Sequence, residues 1–191
     1  MSMGYDEQQQ KLASGCVLIV SDSHSRHEHL EQVMERVQPD LILHLGDSED
    51  YEDLIAAEAP CPVVIVRGNC DYGRELPDQE IVSLGRHRAL LVHGHRHNVR
   101  SELATLARMA REQDCDVAMF GHTHIPELTE EDGVIIYNPG SISLPRQDGR
   151  KPSYIVLDVD ANGELHPALN FIDNRPKADK AVKKKKRGFF W

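Results

Sequence analysis

The stretch "CVLIVSDSHSRHEHLEQVMERVQPDLILHLGD" (residues 16–47) decides the fold. It opens on a short β-branched run, "CVLIVS" (16–21), which reads as a buried strand. Leu30, Val33, Met34 and Val37 then fall at i, i+3, i+4 and i+7, the stripe of an amphipathic helix. Pro39 ends that helix, and "LILHLG" (41–46) is a second strand. Further on, residues 50–58 predict a short helix and "VVIVRG" (63–68) a third strand. Strands alternating with helices imply parallel pairing through helical crossovers.

The pattern then changes. "QEIVSLG" (79–85) and "HRALLVHG" (87–94) read as two strands joined around Gly85. Residues 99–112 predict a helix with Leu103, Leu106 and Ala110 inward, and "DVAMFG" (116–121) a strand. "GVIIYNPG" (133–140), "SYIVLDVD" (153–160) and "LHPALNFI" (165–172) are further strands, parted by turn chemistry such as Asp132-Gly133 and Asn162-Gly163. Parallel units followed by antiparallel strands predict an α/β fold. Its form is a four-layer α-β-β-α sandwich: two mixed sheets face to face, with helices outside. The expected domain is 15–173. Residues 1–14 are polar and aperiodic, hence a disordered arm, and 174–191 form a basic and aromatic tail.

At 191 residues the chain suits one domain with a sizeable core. No apolar run approaches the length of a membrane span, and no secretory leader is visible. Four cysteines without CxxC spacing fit reduced thiols in a cytoplasmic protein. The net charge of −9 argues against a basic field for duplex nucleic acid, although cations held locally could still bind phosphate.

Each of five strands is followed by metal-ligating residue types. Asp22 and His24 follow the first, Asp47 the second, and Asn69 and Asp71 the third. His93, His95 and His97 follow "HRALLV", and His122 and His124 follow "DVAMF". Alone, Asp-x-His is also a helix cap, Gly-Asp a common turn and His93 a packed core residue. Together they line the edge where open α/β sheets bind ligands. Oxygen and imidazole donors suit Mn²⁺, Fe²⁺, Zn²⁺ or Ni²⁺ better than a Ca²⁺ cage. The candidate set of Asp22, His24, Asp47, Asn69, His93, His122 and His124 exceeds what one tetrahedral ion takes, so two ions are expected. Such a pair is a clamp for phosphoryl transfer.

These motifs resemble the calcineurin-like metallophosphoesterase superfamily. "GNCD" (68–71), "VHGH" (92–95) and "NPGS" (138–141) are similar, more narrowly, to its small YfcE/MJ0936-type phosphodiesterases, YsnB-like proteins among them. The resemblance covers residues 16–172. It implies a phosphodiesterase with two divalent metals, manganese first among the candidates. A hydroxide bridging them would attack phosphorus in line. One metal would take Asp22, His24, Asp47 and His124; the other would take Asp47, Asn69, His93 and His122. The two histidines of "GHTH" would thus serve different metals, on one side of an extended step with Thr123 pointing away.

Many larger relatives carry His where this chain has Cys70, which puts their general acid in doubt. His95 is the nearest replacement, with Asn69, His95 and Arg146 as expected substrate contacts. The retromer subunit Vps29 resembles the chain too, and gives the alternative reading of a non-catalytic scaffold. Its metal motifs depart from the pattern, whereas all seven positions are intact here. The tail "KKKKRGFFW" (183–191) reads either as a disordered solubilising end or as a contact for a membrane surface or a subunit, the last making a homo-oligomer.

Overall fold

The run at residues 15–20 has no face to spare for water. Val17 and Ile19 enter one apolar cluster, Leu18 and Val20 another, and all four are fully buried. A strand covered on both faces lies inside a sandwich, which is why its sequence is continuously apolar rather than alternating. The computed structural model describes residues 10–49, 51–72 and 75–173. Along these the elements are β1 (Lys11–Leu12), β2 (Gly15–Val20), α1 (Glu28–Val37), β3 (Leu41–His44), α2 (Glu52–Glu58), β4 (Val63–Ile65) and β5 (Gln79–Leu84). They continue with β6 (His87–Val92), α3 (Ala104–Glu112), β7 (Val117–Met119), β8 (Pro126–Glu131), β9 (Val134–Pro139), β10 (Ser153–Val159) and β11 (Leu165–Phe171).

Two mixed sheets result, in the orders β1-β5-β6-β7-β9-β8 and β11-β10-β2-β3-β4. Between them Val17, Ile19, Leu41 and Leu43 of one sheet meet Leu84, Leu91, Val117 and Met119 of the other. Full burial of each such side chain stabilises by about 1.5–3 kcal/mol. Outside, α3 covers one sheet with Leu106, Ala107 and Ala110, and α1 and α2 cover the other with Leu30, Val33 and Ile55. The four expected layers are present. No helix among the described residues is long and apolar enough to cross a membrane.

Three expectations are corrected. Lys11–Leu12 pairs in parallel with Ser83 and Leu84, so the arm expected over 1–14 contributes a short strand; Leu12 anchors it, fully buried. Residues 1–9 and the tail 174–191 lie outside the described residues. Helix α3 starts at Ala104 rather than 99, because residues 95–101 form turns with Asn98 in the left-handed region at φ 54°. Strand β8 escaped the sequence reading. It opens on Pro126 and its residues are mostly exposed, as suits a charged edge strand, and it pairs with β9 across the Asp132-Gly133 turn.

His44, the last residue of β3, is fully buried. Gly46 N–H donates to its Nδ1 at 3.3 Å, leaving Nε2–H to donate to the Ser23 hydroxyl at 3.0 Å, so the ring is neutral. Burial pushes its pKa down to about 4 against the opposing pull of Asp71 and Asp22. In an unfolded chain the imidazole titrates near ~6.5. Between these values the unfolded state binds a proton that the folded state refuses, so stability drops as pH falls from ~6.5 toward about 4. In chelator-treated protein the urea midpoint should fall across that window, and His44→Asn should flatten the fall. An equal slope in both proteins would rule out His44 as its source.

Candidate metal centre

Parallel register carries the strand ends to one rim. Val20 lies opposite His44, His44 opposite Ile65 and, in the other sheet, Leu91 opposite Met119. Backbone bonds then tie the exits together: Asp22 N–H to Gly46 O, His24 N–H to Asp47 O and Gly121 N–H to His93 O, each 3.0 Å. Two glycines make the approach this close. A Cβ on Gly68 would stand 2.1 Å from Asp47 Oδ1, and one on Gly121 would stand 1.9 Å from Ser21 Oγ.

The expected extended step at "GHTH" is corrected. His122 and His124 have φ of 65° and 60°, and Asp22, His24 and Asp47 have 55°, 45° and 56°. This left-handed region is one that Asp and His enter more readily than most side chains. Thr123 N–H closes a tight turn onto Gly121 O at 2.7 Å, and its hydroxyl accepts from Asn138 Nδ2 at 2.9 Å. The side chains of these five residues are therefore each aimed by a kink in the backbone.

Two groups converge: Asp22, His24 and His124, buried but for the half-buried His24, and Asp22, Asp47 and His93, all buried; within each group the ligand atoms lie within 4.8 Å of one another. His124 Nε2 lies 3.0 Å from Asp22 Oδ1, and His24 Nε2 lies 3.7 Å from Asp47 Oδ2. His93 Nε2 lies 3.4 Å from Asp47 Oδ2 and 3.2 Å from Asn69 Oδ1. His122 sits beside these groups, edge-on to His93 at 5.3 Å between ring centroids. Its backbone N–H donates to Asp22 Oδ2 at 3.0 Å.

The donor chemistry fits cations. His93 Nδ1 is 2.6 Å from Leu45 O, and His124 Nδ1 is 2.6 Å from Leu144 O. A carbonyl only accepts, so each Nδ1 carries the proton and each Nε2 turns a lone pair inward. His24 Nδ1 likewise faces Glu49 Oε1 at 2.5 Å, and its Nε2 is 3.3 Å from that of His124. Asp22 Oδ1 is buried without a hydrogen bond. Lone pairs facing one another at a buried point repel unless positive charge sits among them. Where no cation sits there, a proton on a facing imidazole takes its place: burial raises the carboxyls of Asp22 and Asp47, yet hydrogen bonds and positive charge from the imidazoles in their protonated form outweigh it and hold both below the usual range. Burial, then the charges of His93 and Arg100, push the His122 pKa down to about 4, which leaves it a free base able to ligate at neutral pH.

Several residues behind the ligands hold this arrangement. Asp71, which turn chemistry alone could have explained, accepts from the N–H groups of Asp47 (2.8 Å), Gly68 (2.7 Å) and Glu49 (2.7 Å). Ser141 and Ser143 donate to Asp22 O at 2.7 and 2.9 Å, so the "NPGS" loop braces Asp22. Glu49, unremarked in the sequence, fixes His24 and joins it with Cys70 in a third grouping of ligand atoms. Burial, then the Asp47 charge, pushes the Cys70 thiol up to about 12. His95 stands 5.5 Å from His93 between ring centroids, and burial with His93 and Arg96 holds it below its ordinary value. Arg146 is further out, its backbone N–H bonded to His124 O at 3.0 Å.

The model of the calcineurin-like phosphoesterase superfamily domain matches residues 16–162. A protein named probable metallophosphoesterase YsnB, from Bacillus subtilis, is 38% identical over 146 residues, 75% of this chain and 84% of that protein. A crystal structure of a conserved Streptococcus pneumoniae protein, described as a predicted phosphoesterase, superposes with a TM-score of 0.68 at 26% identity, covering 84% of this chain and 99% of that one. Vps29 from Entamoeba histolytica, in complex with zinc, superposes with a TM-score of 0.66 at 23% identity, over 82% and 98% of the two chains; at that identity it shows the fold alone. The chain belongs to the calcineurin-like phosphoesterase superfamily.

Gly68→Ala tests the packing behind the centre. Its Cβ would meet the Asp47 backbone N at 2.3 Å, which cannot yield as a side chain could. The variant should stay folded by circular dichroism and bind Mn²⁺ about 10–100-fold more weakly in calorimetry, as when the support of a ligand is lost. Wild-type affinity would refute the role of this contact.

Proposed function

We propose that this superfamily member is a dinuclear metal-dependent phosphodiesterase. The observation that supports the reading is the sharing of carboxylates: Asp47 Oδ2 faces both His24 and His93, and Asp22 Oδ1 faces both His124 and His93. In this reading one cation is held by Asp22, His24, Asp47 and His124, and the other by Asp47, Asn69, His93 and His122, with Asp47 common to both. Manganese is the first candidate, with iron, zinc and nickel suited to the same donors. The pair of cations would supply an activated water and neutralise charge on the phosphoryl oxygens. The protein's part is to fix the imidazoles through Leu45 O, Leu144 O and Glu49, and to keep the carboxylates dry. Asn69, His95 and Arg146 are the proposed substrate contacts.

Proton supply to the leaving group is the weak element. A thiol raised to about 12 is a poor acid, and His95 is biased toward its neutral form. Activated aryl diesters should therefore turn over ~10²-fold or more faster than alkyl diesters, the gap that general-acid help would otherwise narrow. Similar rates for both classes would reveal an efficient acid, and His95→Ala would then identify it.

The decisive experiment is a metal-supplemented screen of phosphate mono- and diesters with the full chain. Diester turnover should require metal, and Asp47→Ala should lower it about a thousandfold, several kcal/mol of transition-state stabilisation. Metal binding without turnover of any ester would favour a scaffold of the Vps29 kind.

A further inference from the structure

A cleft of about 380 Å³ adjoins the metal centre, lined by Val99, Arg100, Thr123, Ile125, Glu127 and Arg146. Thr123 and Ile125 flank His124, and the Arg146 backbone is bonded to His124 O, so the cleft wall and the centre are one rigid piece. Its volume is several times that of a single phosphate and falls in the range of small-molecule sites.

Arg100 and Arg146 both line this cleft, and neither guanidinium has a hydrogen bond or ion pair among the described residues. Arg67, Arg86, Arg96, Arg108 and Arg111 each stand against a carboxylate. Arg26 and Arg150 also stand without an ion pair among the described residues, but only Arg100 and Arg146 share one cleft, and that cleft adjoins the metal centre in a chain of net charge −9. Arg100 lines the cleft beside Val99, across from Thr123 and Ile125 of the His124 turn. Glu127 is the one carboxylate among the cleft-lining residues, against two guanidinium groups, so the balance there is positive. Ile125, 48% exposed, and the buried Val99 give the same cleft an apolar surface that a sugar or base can cover.

We infer that this cleft is a subsite for a second anionic group, and that the substrate class is a nucleotide-sized phosphodiester carrying another phosphate beyond the scissile one. The inference rests on the phosphodiesterase reading above and adds Arg100 to the residues that set specificity. The scissile phosphate lies at the metal centre. The second phosphate lies between Arg100 and Arg146, whose planar forks suit bidentate contacts with phosphate oxygens. The connecting sugar and base cross Ile125.

The test uses two esters with the same nitrophenolate leaving group: the p-nitrophenyl ester of thymidine 5′-phosphate, and the same compound bearing a 3′-phosphate. With Mn²⁺-loaded full-length protein, kcat/KM should be about tenfold or more higher for the bisphosphate, chiefly through KM, the size of a charge-assisted contact. Arg100→Gln should reduce that advantage to within about threefold, as half of a two-residue clamp is lost. Equal kcat/KM for the two esters in the wild type, or an advantage untouched by Arg100→Gln, overturns the inference while leaving diester hydrolysis intact. If neither ester turns over, the phosphodiesterase reading fails instead. Calorimetry with thymidine 3′,5′-bisphosphate then still reads the cleft: about tenfold weaker binding to R100Q supports it, and equal binding overturns it.

Discussion

Asp22 and Asp47 are buried charges on the line where two sheets meet, and the rest of the molecule is arranged to make that tolerable. A carboxylate taken out of water costs several kcal/mol unless its oxygens are met by donors or cations. The backbone meets some of them: His122 N–H reaches Asp22 Oδ2 and Cys70 N–H reaches Asp47 Oδ1. The remaining oxygens turn toward imidazole lone pairs, which fixes the chemistry of what can sit there. Asp71 brings three loop N–H groups to one carboxylate, and the "NPGS" loop holds Asp22 from the other side.

This arrangement was legible in the sequence only in part. The apolar runs disclosed the four layers because β2 and β3 are covered on both faces and so carry uninterrupted hydrophobic stretches. The ligand-type residues were legible because each follows such a run. What stayed hidden has physical reasons. Strand β8 faces water at an edge and has no hydrophobic alternation to show. The left-handed backbone at His122 and His124 depends on the turn closed by Thr123 and on Asn138, whose side chain arrives from 15 residues further on. Glu49 looks like an ordinary turn residue until the loops are brought together. Arg100 lies in turns that periodicity reads as the start of a helix, so its position at the cleft had no sequence signal.

Kinship with phosphoesterases and structural likeness to Vps29 are compatible, because the fold and the site answer to different constraints. The inter-sheet core and its helical covers set the sandwich. The proposed chemistry depends on seven side chains at one rim and on a few acceptors behind them. A fold of this kind carries catalysts or scaffolds according to what that rim holds.

The left-handed residues give this separation a direction in sequence space. Asp22, His24, Asp47, His122 and His124 all sit at φ values that Asn and Gly also occupy with ease. An Asp or His exchanged there for Asn or Gly loses a ligand yet keeps the turn. The exchange also removes a buried carboxylate or imidazole and, with it, the repulsion that the cations had to offset. Chemistry can therefore be shed one conservative step at a time while the sandwich keeps or gains stability. Moving from enzyme to scaffold is then downhill for the fold, and the reverse path must rebuild several buried charges before any of them is useful. Intact ligand positions in such a lineage are held by what they do, since folding alone would let them go.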